Sequence, residues 1–209
     1  MLRAFTPDDL DDAFAYQSDP EVTRFLYWDP RTREEVVEVL DRKSRQAVLD
    51  DGNDYFVLAV VWREAGRLVG EVSLNHYNPG HRQGEIGFIF NPAYHGKGLA
   101  REAAEVVLRL GFDDLGLHRI IGRCDARNTA SARLMERLGM RREAHFRENE
   151  IFKGEWGSEF VYALLAGQTV RQGAKALASL GRKPASSGQC RRITLFMPLR
   201  SIQSMPSGV

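Results

Sequence analysis

Hydrophobic and polar residues repeat along the chain with two different periods, and each period predicts one kind of element. Residues 55–62, YFVLAVVW, are β-branched and aromatic almost throughout, which predicts a buried strand. Residues 98–110 instead place apolar side chains three and four positions apart, which predicts an amphipathic helix. A turn at residues 64–67 leads into a second apolar run at 68–74, so these two runs should form a hairpin.

The same reasoning assigns the remaining elements. Further strands are predicted at residues 2–5, 85–90, 119–124, 143–152 and 159–165. Further helices are predicted at residues 7–18, 33–49 and 129–138, and Gly139 ends the last of them. A turn is expected at residues 50–53. Three consecutive strands followed by alternating helix and strand indicate an α/β (α+β) fold with helices packed on a mixed sheet.

Composition narrows the class of protein. The chain has 209 residues, of which 43% are hydrophobic and 27% charged, enough for one sizeable core. A net charge of +1 argues against a dedicated nucleic-acid binder. The longest uncharged run, residues 160–170, is far shorter than the roughly 18 apolar residues of a membrane span. With two cysteines and no signal-like apolar stretch at the start, we expect a cytoplasmic protein.

Charge divides the chain into two parts. No acidic residue follows Glu159, whereas seven of the 29 basic residues lie after residue 165. Residues 166–209 therefore carry +7 and residues 1–165 carry −6. The second part is rich in Gly, Ser, Pro and Gln, with one short helix expected at residues 171–180. We expect a single domain at 1–165 and a basic, low-complexity tail at 166–209 that is largely disordered or loosely packed. The tail is expected to be a solvated extension without a function of its own, and contact with RNA or a ribosome is the alternative.

The richest sequence motif lies where the strand at 85–90 gives way to the helix at 98–110. Gly96 and Gly98 allow a tight turn there, and the N–H groups at a helix start favour a phosphate. The stretch lacks the Gly-x-x-x-x-Gly-Lys-Ser/Thr pattern of nucleotide-hydrolysing loops. It also carries Arg101 where a dinucleotide fingerprint has its third glycine. A pyrophosphate held by the backbone of residues 96–101 is therefore expected.

Three stretches resemble one known superfamily. His95-x-x-Gly98-x-Ala100 is similar to the Gln/Arg-x-x-Gly-x-Gly/Ala signature of the GCN5-related N-acetyltransferases (GNAT). The stretch from Asn128 to Gly139 resembles their Asn-x-x-Ser, helix, Leu-Gly-Phe segment. Residues 146–164 and the start of the chain resemble the RimJ/RimL-type branch, which acetylates ribosomal proteins. The resemblance covers residues 1–165 and leaves the tail unmatched.

The resemblance implies the GNAT fold: a mixed, mostly antiparallel, twisted sheet of six or seven strands, splayed centrally, with helices on both faces. It implies an enzyme that uses acetyl-CoA and no metal, and the scattered histidines give no zinc-ligand spacing. The acceptor would be a primary amine, in the first place a protein N-terminal α-amine, alternatively a small-molecule amine. A noncatalytic acyl-CoA-binding module is a further alternative, and both a monomer and a homodimer remain open.

The resemblance also assigns roles to residues. Glu150 is the first candidate for the general base, Glu85 the second, and Ser131 a candidate donor to the leaving thiolate. One wall of the amine pocket would consist of Phe25, Tyr27 and Trp28, and Asp29 would contact a cationic substrate. The residues expected to bind the cofactor are Phe88, Ile89, Phe90, His95, Gly96, Lys97, Gly98, Leu99, Ala100, Arg101, Asn128 and Ser131.

Overall fold

The structure is a computed structural model that describes residues 1–47 and 55–168. Seven strands form one sheet in the order β1-β2-β3-β4-β5-β7-β6. They are β1 (Leu2–Arg3), β2 (Tyr55–Trp62), β3 (Arg67–Asn78), β4 (Gln83–Phe90), β5 (Arg119–Asp125), β6 (Arg141–Phe152) and β7 (Glu155–Leu165). The helices are α1 (Leu10–Gln17), α2 (Pro20–Thr23), α3 (Arg33–Ser44), α4 (Leu99–Arg109) and α5 (Thr129–Arg137). A π-helical turn, Leu110–Asp114, continues α4.

Helices cover both faces of the sheet, as predicted. Side chains alternate along β2, so Phe56 and Leu58 belong to one buried cluster while Val57 and Ala59 belong to another. The first cluster contains the apolar faces of α4 and α5, and the second contains those of α1 and α3. The predicted fold class is therefore confirmed: an α/β protein with a mixed, mostly antiparallel sheet.

The sheet divides between β4 and β5, which are the one parallel pair among the strands of residues 1–47 and 55–168. These strands pair only through residues 83–85 of β4 and 119–121 of β5. Beyond that point β4 stays paired with β3 as far as Phe90, and β5 stays paired with β7 as far as Asp125. Two regular half-sheets thus diverge after Glu85 and leave a gap between them, which is the predicted central splay.

Several element bounds differ from the predictions. β1 is shorter than residues 2–5, and β3 is longer than 68–74 because it pairs with β4 as far as Asn78. A short helix, α2, was not predicted; it starts at Pro20 after Asp19, whose carboxylate accepts a hydrogen bond from the Glu21 amide. α3 ends at Ser44, before the predicted residue 49. The turn predicted at 50–53 and the helix at 171–180 lie outside the described residues.

Candidate active site

A cavity of about 640 Å³ lies on the α1–α3 side of the sheet, where β4 and β5 diverge. Its walls come from the segment between α2 and α3, from the C-terminal end of α3, from the start of β2, and from β3, β4 and the end of β5. Helix α5 and the β6–β7 hairpin complete them. Among the predicted residues, the wall includes Phe25, Tyr27, Trp28, Glu85, Phe88, Ile89, Asn128, Ser131 and Glu150. The structure thus brings together both carboxylates proposed as the base.

Glu85 is the last residue of β4 that pairs with β5, so it lies where the gap between these two strands begins. No described residue forms a hydrogen bond or an ion pair with its carboxylate. Burial raises the pKa of Glu85 above the ordinary value, and the nearby Glu159 adds to this effect while Arg123 opposes it. The Arg123 guanidinium makes two hydrogen bonds to Glu159, of 2.9 and 2.7 Å, and none to Glu85. Glu85 is therefore an unpaired carboxylate whose pKa is shifted toward neutrality.

Glu150 has a partner already. The Tyr27 hydroxyl donates a 2.6 Å hydrogen bond to Glu150 Oε1. This bond, more than burial, raises the pKa of Tyr27 to about 12. One oxygen of the Glu150 carboxylate is thus engaged, whereas the Glu85 carboxylate accepts no hydrogen bond from a described residue.

The segment between α2 and α3 is fastened to the β6–β7 hairpin and covers part of the cavity. Lys153 Nζ donates 3.0 Å hydrogen bonds to the carbonyls of Thr23 and Trp28. The same ammonium group forms a 3.0 Å ion pair with Asp29. Asp29 is exposed and does not line the cavity, so the structure does not bring it together with the other residues predicted to bind the substrate. Through these contacts the segment between α2 and α3 forms a roof over part of the cavity.

The start of α4 leaves its amides available. Gly96 and Gly98 have φ angles of +78° and +76°, a conformation that glycine adopts without strain. No described residue accepts a hydrogen bond from the N–H groups of residues 96–101. The turn also leaves open space, since a Cβ at Gly96 or Gly98 would meet no atom within 4 Å. The backbone here therefore fits a phosphate group, although this turn lies outside the cavity wall.

Side chains around this turn divide into two kinds. Leu99 is buried in the core, so only its amide is available to a ligand. His95, Lys97 and Arg101 are exposed, and Lys97 Nζ lies 5.2 Å from the centre of the Trp62 ring. The contact with Trp62 thus keeps the positive charge of Lys97 close to the free amides at the start of α4.

Reversing the charge of Lys97 tests this phosphate site. We expect Lys97→Glu to weaken coenzyme A binding by about 3- to 10-fold, because an added anion would repel the diphosphate. Binding of pantetheine, which lacks the phosphates, should not change. Arg137→Glu, at the exposed C-terminal end of α5, is the matched control. Isothermal titration of each variant with both ligands measures the difference, and an equal loss for both ligands would contradict the site.

The start of α5 supplies two polar groups to the cavity. Asn128 Oδ1 accepts a 3.0 Å hydrogen bond from the Ser131 amide, so Asn128 caps the helix. The Ser131 hydroxyl has no hydrogen-bond partner among the described residues and faces the same cavity wall. Nearby Cys124 is unsuited to act as a nucleophile, because burial raises the pKa of its thiol to about 12. The Tyr162 hydroxyl, which could also protonate a thiolate, is buried, donates a 3.1 Å hydrogen bond to Glu136 and does not line the cavity.

Backbone amides of β4 face the gap. The Asn91 amide donates a 3.0 Å hydrogen bond to the Val69 carbonyl, and antiparallel pairs alternate between bonded and non-bonded positions. The amides of Gly87 and Ile89 consequently face β3, whereas those of Phe88 and Phe90 face the opposite edge of β4, where β5 has diverged. The Phe88 and Phe90 amides therefore point into the gap, where no neighbouring strand among the described residues accepts a hydrogen bond from them.

One end of the cavity is positively charged, a feature that the sequence pattern did not predict. Lys43 is buried and makes hydrogen bonds of 2.6 and 2.5 Å to the two oxygens of Glu71, which also accepts a 3.0 Å bond from Tyr16. Arg31 and Arg42 line the same end. The surrounding charged residues of α3 are typical of a solvated helix face, so the pattern gave no sign that these side chains reach a cavity.

Neither a metal site nor a membrane span is found in the part of the chain that the structure describes. No group of three or more His, Cys, Asp or Glu side chains in residues 1–47 and 55–168 is placed to hold a metal ion. No helix within those ranges is long and apolar enough to cross a membrane.

Comparisons with known proteins point to one family. Residues 1–141 match the family model described as an acetyltransferase (GNAT) domain. The uncharacterized N-acetyltransferase YnaD of Bacillus subtilis is 33% identical over 165 residues, which cover 79% of this chain and 92% of YnaD. The spermidine N(1)-acetyltransferase of Escherichia coli K12 is 29% identical over 155 residues, covering 74% and 80%. The crystal structure of a GNAT-family acetyltransferase from Bacillus anthracis is 34% identical, with a TM-score of 0.69 and coverage of 79% and 94%.

Proposed function

The chain belongs to the GNAT acetyltransferase family and is an N-acetyltransferase, and on that premise we propose that it acetylates the primary amine of a small molecule with Glu85 as general base. The observation that carries this proposal is the position of Glu85, unpaired and half-buried at the point where the sheet opens. Proton transfer requires a base that is free to approach the reacting nitrogen, and Glu85 has no hydrogen-bond partner among the described residues, whereas Glu150 already accepts a hydrogen bond from Tyr27.

Acetyl-CoA, the acetyl donor used by this family, supplies an activated thioester when it is bound. The free amides of residues 96–101 fit its diphosphate. The gap between β4 and β5 gives its pantetheine arm a path to the cavity. The Phe88 and Phe90 amides face this gap and can donate hydrogen bonds to the acetyl oxygen as negative charge develops there.

The chain's side chains move the protons. A C–N bond forms to the acceptor nitrogen while the C–S bond of the thioester breaks. An acceptor that arrives as an ammonium first releases one proton to water, and the Glu85 carboxylate accepts the second proton, which the nitrogen loses as the C–N bond forms. The Ser131 hydroxyl donates a proton to the departing thiolate and regains one from water. Holding the amine and the thioester in one cavity accounts for much of the expected rate.

The roof over the cavity favours a small acceptor. The contacts of Lys153 and Tyr27 join the segment between α2 and α3 to the β6–β7 hairpin, so the acceptor side is partly covered. A protein N-terminus needs an open groove through which the rest of its chain can leave. The E. coli relative, named for a small amine, supports the same choice. The protein N-terminal amine, expected from the RimJ/RimL resemblance, remains the alternative acceptor.

A panel of acceptors tests the proposal. Thiol release from acetyl-CoA is measured with aliphatic amines, amino acids and N-terminal peptides as acceptors. We expect turnover with at least one small amine and weaker turnover with peptides. Turnover with peptides alone would favour the protein N-terminus instead. Binding of coenzyme A without thiol release for any acceptor would identify a noncatalytic acyl-CoA-binding module and overturn the proposal.

A further inference from the structure

The structure points to an acceptor that carries an anion as well as its amine, and we propose that Arg31 and Arg42 bind this anionic group. The inference rests on the proposed function, because it concerns the acceptor end of the same cavity. It specifies the substrate class as short aminocarboxylates or amines with a comparable anion, and it disfavours polyamines.

Charges in the cavity are separated into two ends. One end carries three cations and one carboxylate: Arg31, Arg42, Lys43 and Glu71. The other end carries four carboxylates and one cation: Glu85, Asp125, Glu150, Glu159 and Arg123. Glu159 is paired with Arg123 and Asp125 with Arg127, so among the described residues Glu85 and Glu150 are the carboxylates of this end without a cationic partner. A ligand fits this arrangement best when its own charges are separated in the opposite sense. An acceptor amine, cationic in solution, would lie at the acidic end with its anion at the basic end.

At the basic end of the cavity, the side chains of Arg31 and Arg42 are available to bind an anion. Lys43 makes hydrogen bonds of 2.6 and 2.5 Å to the two oxygens of Glu71, and with this pair formed the basic end keeps an excess of two positive charges. Within the described ranges, neither arginine forms an ion pair. Arg31 donates one hydrogen bond, of 2.5 Å, to the neutral Gln17 side chain. Its remaining donors are available to a planar anion such as a carboxylate, which guanidinium binds with two parallel hydrogen bonds.

Arg31 is also held in place. Its guanidinium lies 3.7 Å from the centre of the Trp28 ring, and its backbone amide donates a 3.0 Å hydrogen bond to the Gln17 carbonyl. Trp28 itself lines the cavity. A cation stacked on an aromatic wall loses little further freedom when it binds a ligand, so its interaction with an anion is favoured.

The length of the cavity sets the separation of the two charges in the ligand. Glu71 lies opposite Ile89, and Ile89 is four residues along β4 from Glu85. At about 3.3 Å per residue the backbone positions of the two ends are roughly 13 Å apart. The side chains reach into this space from both ends. A short aliphatic chain between amine and anion therefore spans the distance between the two charged ends of the cavity. Glycine does not, because a single carbon separates its ammonium and carboxylate groups.

Three acceptors of similar length provide the test in the full-length enzyme: ε-aminocaproate, hexylamine and hexamethylenediamine. They present a carboxylate, a methyl group or a second ammonium at the far end. We expect kcat/KM for ε-aminocaproate to exceed that for hexylamine by about 10- to 100-fold, and the diamine to be the poorest of the three. Glycine should be a poor acceptor despite its two charges.

Charge variants link this preference to the two arginines. Arg42 is exposed on α3, so Arg42→Glu should fold normally, and it should lower the kcat/KM ratio of ε-aminocaproate to the diamine by at least about 10-fold. Arg31→Gln should lower the same ratio. Arg45→Glu makes the same charge change one turn away, outside the cavity wall, and should leave the ratio as in the wild type.

The possible outcomes separate this inference from the proposed function. Turnover in which hexylamine or the diamine equals or exceeds ε-aminocaproate would overturn the inference and leave the acetyltransferase assignment intact. An unchanged ratio in Arg42→Glu and Arg31→Gln would also overturn it. No thiol release with any amine would instead contradict the proposed function itself.

Discussion

Replacing Glu85 with Gln is expected to lower kcat by about 10²- to 10⁴-fold, the usual contribution of a positioned general base. The amide keeps the shape of the carboxylate but cannot accept the proton of the acceptor amine. Coenzyme A affinity should stay unchanged, because the proposed phosphate site lies at residues 96–101 and not at Glu85. Steady-state thiol release and isothermal titration with coenzyme A measure the two quantities separately.

The pH dependence gives Glu85 a signature that a structural role would not produce. Because burial raises the pKa of this carboxyl, the wild-type rate should fall as pH decreases through that raised value, where the group takes up a proton. This acidic limb should be absent from the profile of Glu85→Gln. A Glu85→Gln enzyme that keeps both the wild-type rate and the limb would exclude Glu85 as the base.

Glu150→Gln is the matched comparison, since it makes the same change in the same cavity. We expect a much smaller loss of kcat, because Glu150 already accepts a hydrogen bond from Tyr27 and the amide oxygen can still accept it. A large loss for Glu150→Gln together with normal turnover for Glu85→Gln would reverse the assignment of the two carboxylates.

The second large effect concerns stability. Replacing Glu71 with Gln should lower the free energy of unfolding by about 3–5 kcal/mol, because it leaves the Lys43 ammonium buried without a counter-charge. The amide oxygen can still accept the Tyr16 hydroxyl, so the loss reports mainly on the charge. Chemical denaturation followed by circular dichroism measures the difference.

A double variant distinguishes the loss of the Lys43–Glu71 charge pair from a change in packing at position 71. In Lys43→Met with Glu71→Gln, both charges are removed together, and we expect most of the lost stability to return. Equal destabilisation in the single and the double variant would mean that packing around position 71, rather than the unpaired charge, controls stability. The two variants also show whether the basic end of the cavity depends on this buried pair for its shape.

Much of the fold can be predicted from the sequence because local patterns determine it. The apolar run at residues 55–62 corresponds to β2 with the same bounds, and the period of residues 98–110 corresponds to α4. The turn with Gly96 and Gly98 takes the positive φ angles that its glycines suggest. In each case neighbouring residues alone carry the signal.

The chemistry of the cavity depends on contacts between distant residues, which the sequence cannot display. Tyr27 and Glu150 are 123 positions apart, so nothing near Glu150 indicates that its carboxylate is engaged. Lys43 lies within a charged helix, and only Glu71, 28 positions away, explains its burial. The order of preference between Glu150 and Glu85 and the basic end of the cavity both depend on such pairs.

A crystal structure with coenzyme A bound tests the central claim most directly. The account predicts the diphosphate within hydrogen-bonding distance, about 3 Å, of amides among residues 96–101. It also predicts the sulfur in the gap between β4 and β5, facing the side of the cavity that holds Glu85. A coenzyme whose phosphates lie away from the start of α4, or whose thiol does not enter the gap, would contradict the account.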